Sequence, residues 1–218
     1  MTRFPWRLVT FDIDGTLTQG HGWRFLAERT GRLDAYRESN RRFLARETGE
    51  DAHLREHLDL AVGLTRPEVA AILEATPRIG RIAEGVAALR ARGSRVALLS
   101  HNPEYVCAWY RDRFGFDDAA GTRGTVFVGG RIAPYGAVHA SKLDGLAGLL
   151  DRAGTTRSET AHVGDGWADA VVFRRVGGGV ALNSALPEVR AAADLALSIG
   201  TLPEIVDPLA ALSPRRVD

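Results

Sequence analysis

Short apolar runs alternate with stretches of helical spacing along most of the 218-residue chain. The apolar runs predict strands at Leu8 to Phe11, Arg95 to Leu99, Ala161 to Val163, Val180 to Leu182 and Leu195 to Leu197, and a short hairpin at Val126 to Ile132. The stretches between them predict helices at Arg81 to Arg92, Pro103 to Phe114, Ser141 to Ala153, Ala168 to Arg175 and Pro187 to Ala193. Because strands that alternate with helices are joined by helical crossovers, the pattern predicts an α/β fold with a parallel sheet.

One segment interrupts this alternation. Residues 20 to 76 contain no strand-like run, and the helix-forming stretches there are Trp23 to Glu28, Ala35 to Glu47, His53 to Leu60 and Pro67 to Ala75. The sequence Thr65-Arg66-Pro67-Glu68 is typical of a helix start, with Thr65 at the cap and Pro67 at the first or second position. We interpret the segment as an all-helical insertion. The predicted domains are a helical unit of residues 19–77 and a core of residues 1–18 and 78–218.

The composition narrows the class of protein. Cys107 is the only cysteine, so an internal disulfide is excluded, and no apolar run is long enough to serve as a signal peptide or to span a membrane. The net charge is +1 at pH 7 and the two signs are interspersed, which argues against a nucleic-acid or membrane partner. We therefore expect a cytoplasmic protein, either a monomer or a homodimer, whose partner is a small molecule.

Two aspartates follow the first predicted strand. Asp12 and Asp14 come directly after the apolar run that ends at Phe11. A buried, unpaired carboxylate is costly, so these acids are expected to face a crevice at the end of the strand. Gly15 lets the chain turn, so that Asp14 can face the same point as Asp12. The pattern is typical of a phosphate and metal site, although a simple turn that closes the strand gives the same residues.

Two further predicted strands also end in polar residues. The strand that ends at Leu99 is followed by Ser100, and the strand that ends at Val163 is followed by Gly164, Asp165 and, four residues later, Asp169. The carboxyl ends of parallel strands meet at one rim of the sheet, which is where such folds bind ligands. Each motif alone has a structural alternative. Ser100 is also typical of a helix cap. The glycine and acid pattern is also typical of a turn before a helix.

Four carboxylates at one rim require a cation. Asp12, Asp14, Asp165 and Asp169 would repel one another and raise one another's pKa without one. Carboxylate oxygens are the ligands that Mg²⁺ prefers, and Mg²⁺ also accepts a substrate phosphate oxygen. The sequence therefore indicates a Mg²⁺ site.

Lys142 is the only lysine among the 28 basic residues. A lysine ammonium is a compact point charge that the planar guanidinium of arginine does not replace, so this residue is a candidate phosphate ligand. A surface lysine at the start of a helix is the structural alternative. Of the histidines, His162 is expected to pack in the core and His139 to lie in a loop.

Taken in order, these motifs resemble the haloacid dehalogenase superfamily of phosphohydrolases. They are the DxDxT motif of Asp12 to Thr16, the strand-end Ser100, Lys142 and the GDGxxD motif of Gly164 to Asp169. Within that superfamily the chain is similar to the phosphoserine phosphatase branch, from Leu8 to about Ile205. The resemblance implies a Rossmann-like parallel sheet with an inserted all-helical C1 cap.

The resemblance also implies a role for each residue. Asp12 would be the nucleophile that forms an aspartyl-phosphate, and Asp14 the general acid and base. Ser100, Asn102 and Lys142 would bind the phosphate. Mg²⁺ would be held by Asp12, the Asp14 carbonyl oxygen and Asp165, with Asp169 as a ligand or a neighbour of the ligands.

The implied function is a Mg²⁺-dependent phosphatase that acts on a small phosphorylated metabolite. One alternative is a phosphoserine phosphatase proper, which converts L-phosphoserine to L-serine. Another is a phosphate-binding module that has lost turnover, although such a module has no need of Asp14.

The residues expected to recognise phosphoserine depart from the pattern of that branch. His21 stands where a glutamate is expected and His57 where an arginine is expected, with Glu50 or Arg55 as replacements if the alignment shifts. These departures leave the substrate open. The aromatic residues Trp23, Tyr36 and Phe43 either line a substrate pocket or pack the small core of the insertion, and packing is favoured. Trp167, between the two later acids, either touches substrate or packs.

Overall fold

Six parallel strands form the main sheet of the computed structural model, which describes residues 4–139 and 141–217. With the two strands of a hairpin, they are β1 (Leu8–Phe11), β2 (Arg95–Pro103), β3 (Asp118–Thr122), β4 (Phe127–Val128), β5 (Arg131–Ile132), β6 (Thr160–Gly164), β7 (Gly178–Leu182) and β8 (Leu195–Leu197). The order across the sheet is β3-β2-β1-β6-β7-β8. β1 lies at the centre, with Leu8 opposite both Arg95 and Thr160.

Helices cover the sheet and form the insertion. They are α1 (Gly22–Arg29), α2 (Leu33–Leu44), α3 (Glu50–Asp59), α4 (Arg66–Ala75), α5 (Ile82–Ala91), α6 (Glu104–Phe114), α7 (Lys142–Ala153), α8 (Trp167–Phe173), α9 (Pro187–Ala192) and α10 (Val206–Ala211), with short 3₁₀ helices at Arg157–Glu159 and Leu202–Ile205. All four residues of β1 are buried, because hydrophobic clusters lie on both faces of the sheet. The predicted α/β fold with a parallel sheet is confirmed.

The edge strand β3 was not predicted. Asp118–Thr122 reads Asp-Ala-Ala-Gly-Thr and is half-buried, so it lacks the apolar β-branched residues that mark a strand. Pairing with β2 determines its conformation, and this pairing also carries β2 beyond its predicted end at Leu99. The register shifts between Leu99 and Pro103, where Pro103 pairs with Thr122. Ser100 therefore lies within β2 rather than after it, which corrects the prediction of a strand-end serine.

The helices α1 to α4, which we call the helical insertion, lie between β1 and α5. The two chain crossings that connect them to the sheet lie side by side: Thr18 pairs with Arg78, and the Gln19 amide donates to the Pro77 carbonyl over 2.9 Å. Thr65 caps α4 as predicted, and the Glu68 carboxylate also accepts from the Thr65 amide over 2.7 Å.

The predicted hairpin is present as β4 and β5, and it holds the insertion from the other side. The Gly63 amide donates to the Ile132 carbonyl over 2.8 Å, and the Ile132 amide donates to the Leu64 carbonyl over 2.9 Å. Among residues 4–139 and 141–217, none of the helices combines the length and the apolar character that crossing a membrane requires.

Candidate active site

Asp12 lies at the carboxyl end of β1, the central strand. Its amide donates to the Val163 carbonyl over 2.9 Å, which extends the pairing with β6 and fixes the backbone. The side chain is nearly buried, and Lys142 Nζ lies 3.0 Å from its Oδ1, which has no well-aligned hydrogen bond. Burial raises the pKa of Asp12 to about 7 against the opposing effect of the Lys142 ammonium. The negative charge of the Asp12 carboxylate is therefore only partly balanced by the positive charge of Lys142.

The turn after Asp12 depends on Gly15. Its φ of 73° lies in the left-handed region, and a Cβ at this position would lie 2.0 Å from Asp165 Oδ2. The turn brings Asp12 and Asp14 to the same cavity, as the sequence predicts. Thr16, which follows in the turn, donates to Asp165 Oδ1 over 3.0 Å.

Asp14 is held by groups from two different parts of the chain. Its Oδ1 accepts from the Gly22 amide at the start of α1 over 2.9 Å, and its Oδ2 accepts from Asn102 Nδ2 over 3.1 Å. Burial raises the pKa of this carboxyl above its usual value. A raised pKa favours the protonated form, which is the form that a general acid requires.

Ser100 and Asn102 lie side by side on β2, and both are buried. Ser100 Oγ accepts from the amide and from the side-chain Nδ2 of Asn102, each over 3.2 Å. The alternative that Ser100 caps a helix is wrong, because the residue before α6 is Pro103, which has no side-chain cap. Asn102 thus connects Ser100 to Asp14.

Lys142 is the first residue of α7, and its side chain is only 4% exposed. The surface alternative is therefore wrong. Its Nζ lies between two carboxylates, 3.0 Å from Asp12 Oδ1 and 2.5 Å from Asp169 Oδ1. Burial opposes the charge, but the two aspartates outweigh it and raise the pKa of Lys142 above its usual value. The ammonium is charged at neutral pH.

Four donors surround Asp169. Its Oδ1 contacts Lys142 and accepts from His162 Nε2 over 2.8 Å, while its Oδ2 accepts from the amides of Asp165 and Gly166 over 3.1 and 3.0 Å. Burial opposes ionisation, but Lys142 and His162 hold the pKa of Asp169 well below its usual range. Asp169 therefore has two roles. It closes the turn before α8, as the structural alternative for this motif predicts, and it also contacts Lys142.

His162 is fully buried, as the sequence predicts, yet it is not a purely packing residue. In the tautomer that donates from Nε2 to Asp169, its Nδ1 accepts from the Thr10 hydroxyl over 2.8 Å. The sequence offered no signal for this contact, because it depends on how β1 and β6 pair.

Asp165 completes an acidic cluster. Carboxylate oxygens of Asp12, Asp165 and Asp169 lie within 4.8 Å of one another. Burial, together with the charges of Asp12 and Asp169, raises the pKa of Asp165 to about 8. A buried carboxylate and a half-buried one have too little positive charge nearby, and the buried one, Asp12, has an oxygen that lacks a hydrogen bond, so the pair fits a divalent cation. The cluster is thus able to bind a metal.

A cavity of about 490 Å³ extends from these acids toward the helical insertion. Trp23, Tyr36 and Phe43 all line it, although Trp23 and Tyr36 also belong to the hydrophobic core, so pocket and packing both hold. His53, which the sequence did not indicate, lines the cavity and stacks on Phe43 at 4.3 Å between ring centres. The sequence missed it because the packing of α3 on α2 decides which helix face meets the cavity.

The remaining predicted residues divide into two groups. His21, Glu50, His57 and Trp167 line the cavity, and Arg55 does not. Arg55 instead lies 4.0 Å from Asp59. Trp167 is half-exposed and donates to Glu188 over 2.9 Å.

Comparison with known proteins gives a consistent family. The model of the haloacid dehalogenase-like hydrolases matches residues 6–177. The chain is 30% identical over 188 residues to a phosphoserine phosphatase of Halobacterium salinarum, covering 81% of this chain and 85% of that protein. It is 26% identical to a phosphoserine phosphatase of Archaeoglobus fulgidus, covering 82% of this chain and 53% of that protein.

Solved structures share the fold. The phosphoserine phosphatase from T. onnurineus has a TM-score of 0.70 at 26% identity, covering 98% of this chain and 99% of that one. A substrate-bound phosphoserine phosphatase complex has a TM-score of 0.78 at 20% identity, covering 93% and 98%, and supports the fold alone. The chain therefore belongs to the haloacid dehalogenase-like hydrolase family, in which it is a phosphoric monoester hydrolase of the phosphoserine phosphatase-like branch.

Proposed function

We propose that the chain is a Mg²⁺-dependent phosphatase that acts on a small phosphorylated metabolite through an aspartyl-phosphate on Asp12. The observation that carries this proposal is the surroundings of Asp12, whose carboxylate faces the cavity beside Lys142 and Asp165. The phosphoserine phosphatases among its relatives support ester hydrolysis rather than another reaction of the family.

In the first step, an oxygen of Asp12 attacks phosphorus, and the bond from phosphorus to the alcohol oxygen breaks. Asp14 gives its proton to that oxygen, so the alcohol leaves neutral. In the second step, Asp14 takes a proton from water as the water oxygen attacks phosphorus. The bond to Asp12 then breaks, and phosphate leaves.

Two groups would bind the transferring phosphoryl group. Because Ser100 Oγ accepts both of its hydrogen bonds from Asn102, its own hydrogen is free to be donated to a phosphoryl oxygen. Lys142 supplies positive charge where the phosphoryl group meets Asp12. Asn102 serves this site by orienting Ser100 and Asp14.

We assign the metal ligands to Asp12, Asp165 and the carbonyl oxygen of Asp14. Mg²⁺ would supply positive charge to the phosphoryl oxygens. Both oxygens of Asp169 are already occupied by four donors, so we assign it to positioning Lys142 and the turn before α8.

We also propose the boundaries of the two domains, the cellular location and the oligomeric state of the protein. Residues 19–77 would form a cap that selects the substrate, because they include the helices of the insertion that line the far side of the cavity. We propose that the protein is cytoplasmic, that it is a monomer or a homodimer, and that it has no nucleic-acid partner.

Hydrolysis of p-nitrophenyl phosphate with Mg²⁺, and with EDTA in its place, tests the function. Turnover that requires Mg²⁺ is expected. If no hydrolysis occurs at any metal concentration, the function proposed here is wrong and a phosphate-binding module is favoured instead.

A further inference from the structure

The cavity wall opposite the acids is built from aromatic and imidazole rings. Phe43 stacks on His53 at an interplanar angle of 6°, the His53 and His57 ring centres lie 4.2 Å apart, and Tyr36 stacks on His57 at 5.2 Å. Trp23 lies 6.1 Å from His57. We call Trp23, Tyr36, Phe43, His53 and His57 the ring wall. The His53 and His57 rings are tilted by 56°, so the wall is a faceted cluster of rings, to which helices α1, α2 and α3 each contribute, and it lines the same cavity as the acids.

The two histidines of the ring wall are neutral. His57 is packed among rings, its Nε2 faces the Asn40 amide at 3.5 Å, and burial with the nearby His53 and His21 lowers its pKa to about 3. Burial lowers the pKa of His53 and outweighs the opposing effect of the Glu56 carboxylate. The ring wall therefore provides faces and no positive charge.

No arginine lines the cavity among the described residues, and the one lysine there is held by Asp12 and Asp169. Several arginines of the insertion have other partners. Arg42 contacts Glu56, Arg24 donates to Glu28, and Arg32 donates to the Leu60 carbonyl. A carboxylate on the leaving alcohol would thus lack an arginine or a free lysine as its partner, and a buried carboxylate without a partner is strongly disfavoured.

The cavity also lacks a dedicated site for an ammonium group. Glu50 is the one carboxylate of the insertion that lines it among the described residues. It is exposed and lies in the first turn of α3, where the helix amides already balance an acid. The other side of the cavity is apolar, with Leu186 and the half-exposed Trp167.

We propose that the alcohol released at this site is neutral, has a planar aromatic or heteroaromatic ring that packs on the ring wall, and carries no carboxylate. This inference rests on the proposed phosphatase function. A cavity of about 490 Å³ is within the range of sites that bury a ring-bearing ligand.

The test uses three phosphate esters of primary alcohols: 2-phenylethyl phosphate, O-phosphoethanolamine and O-phospho-L-serine. We expect kcat/KM for 2-phenylethyl phosphate to exceed that for O-phospho-L-serine by at least about tenfold, mainly through KM. A preference for O-phospho-L-serine or O-phosphoethanolamine would overturn the inference. The proposed function would survive this outcome, because it depends on hydrolysis of p-nitrophenyl phosphate.

Two variants test the ring wall itself. Phe43→Leu should lower the ratio of kcat/KM for 2-phenylethyl phosphate to that for O-phosphoethanolamine by at least roughly fivefold. The matched control Phe25→Leu changes a half-buried phenylalanine of α1 outside the cavity and should leave the ratio unchanged. An unchanged ratio in Phe43→Leu contradicts the inference.

His57→Arg adds the missing cation and should raise kcat/KM for O-phospho-L-serine by at least about tenfold.

Binding provides a readout that does not require turnover. By calorimetry, 3-phenylpropylphosphonate should bind more tightly than 2-amino-4-phosphonobutanoate, the phosphonate analogue of phosphoserine. If p-nitrophenyl phosphate is not hydrolysed but this order holds, the proposed function fails, and what stands is the preference of the cavity for a ring-bearing phosphate compound without a carboxylate. The reverse order of affinities refutes the inference.

Discussion

The backbone amide of Gly22 donates a hydrogen bond to Asp14 Oδ1 across 2.9 Å. Gly22 is the first residue of α1, so the helical insertion positions the carboxyl group that we propose as the general acid and base. A glycine is required there, because a Cβ would lie 2.5 Å from the same oxygen.

We expect Gly22→Ala to lower kcat by at least about tenfold with little change in Tm, since the new methyl group displaces the Asp14 carboxylate and spares the core. Gly49→Ala is the matched control, because a Cβ on this glycine of the insertion meets open space. Steady-state kinetics and thermal unfolding check the result. A wild-type rate in Gly22→Ala would mean that this hydrogen bond does not position the acid.

Asp12→Asn should reduce phosphatase activity to background while the protein stays folded, because an amide is not a nucleophile for phosphorus. Asp34→Asn changes a fully exposed aspartate of α2 and should leave the rate unchanged. Initial rates and circular dichroism check both variants. More than about a few per cent of residual activity in Asp12→Asn would remove Asp12 from the role of nucleophile.

Lys142→Arg should lower kcat by at least about a hundredfold despite the retained charge. The ammonium fits between Asp12 and Asp169 at 3.0 and 2.5 Å with 4% of the side chain exposed, which leaves no room for a planar guanidinium. The companion Lys142→Met removes the charge and keeps the approximate length of the side chain. Rates of Lys142→Arg close to wild type would mean that charge alone is required.

The stabilisation that Mg²⁺ gives should increase as the pH rises from about 5 to about 8. Burial raises the pKa of Asp12 to about 7 and that of Asp165 to about 8. A group whose folded-state pKa is raised stabilises the fold at low pH, and that stability is lost as the pH passes through the raised value. Without metal the protein should therefore lose stability across this range, and a bound cation should remove the loss.

The measurement for this prediction is the difference in Tm between Mg²⁺ and EDTA at each pH. The buried histidines titrate in both samples, so the difference isolates the carboxylates. A difference that stays constant over the range would separate Asp12 and Asp165 from the metal.

The sheet could be predicted from sequence where strands are apolar and could not where they are not. β1 is buried on both faces, and three of its four residues are apolar, with Thr10 as the exception. In contrast, β3 is a half-buried edge strand with the sequence Asp-Ala-Ala-Gly-Thr. Only its pairing with β2 makes β3 a strand. The same pairing extends β2 to Pro103, so Ser100 lies inside β2 and not at its end.

Motif residues of the site could also be predicted, because their chemistry is visible in the residue types. The contacts that position them could not. Gly22 reaches Asp14 only once the insertion folds back on β1, and His162 reaches Asp169 through the pairing of two strands. The ring wall depends on helix packing, so the sequence suggested Tyr36 and Phe43 but gave no reason to add His53.

The side-by-side crossings at Thr18 and Arg78 have a consequence for how such a protein changes over time. One uninterrupted stretch of the coding sequence carries the ring wall, while Asp12, Ser100 and Lys142 are encoded outside it. Recombination that exchanged this stretch would therefore change the residues that we propose select the substrate and leave the sheet and the residues that we propose react unchanged.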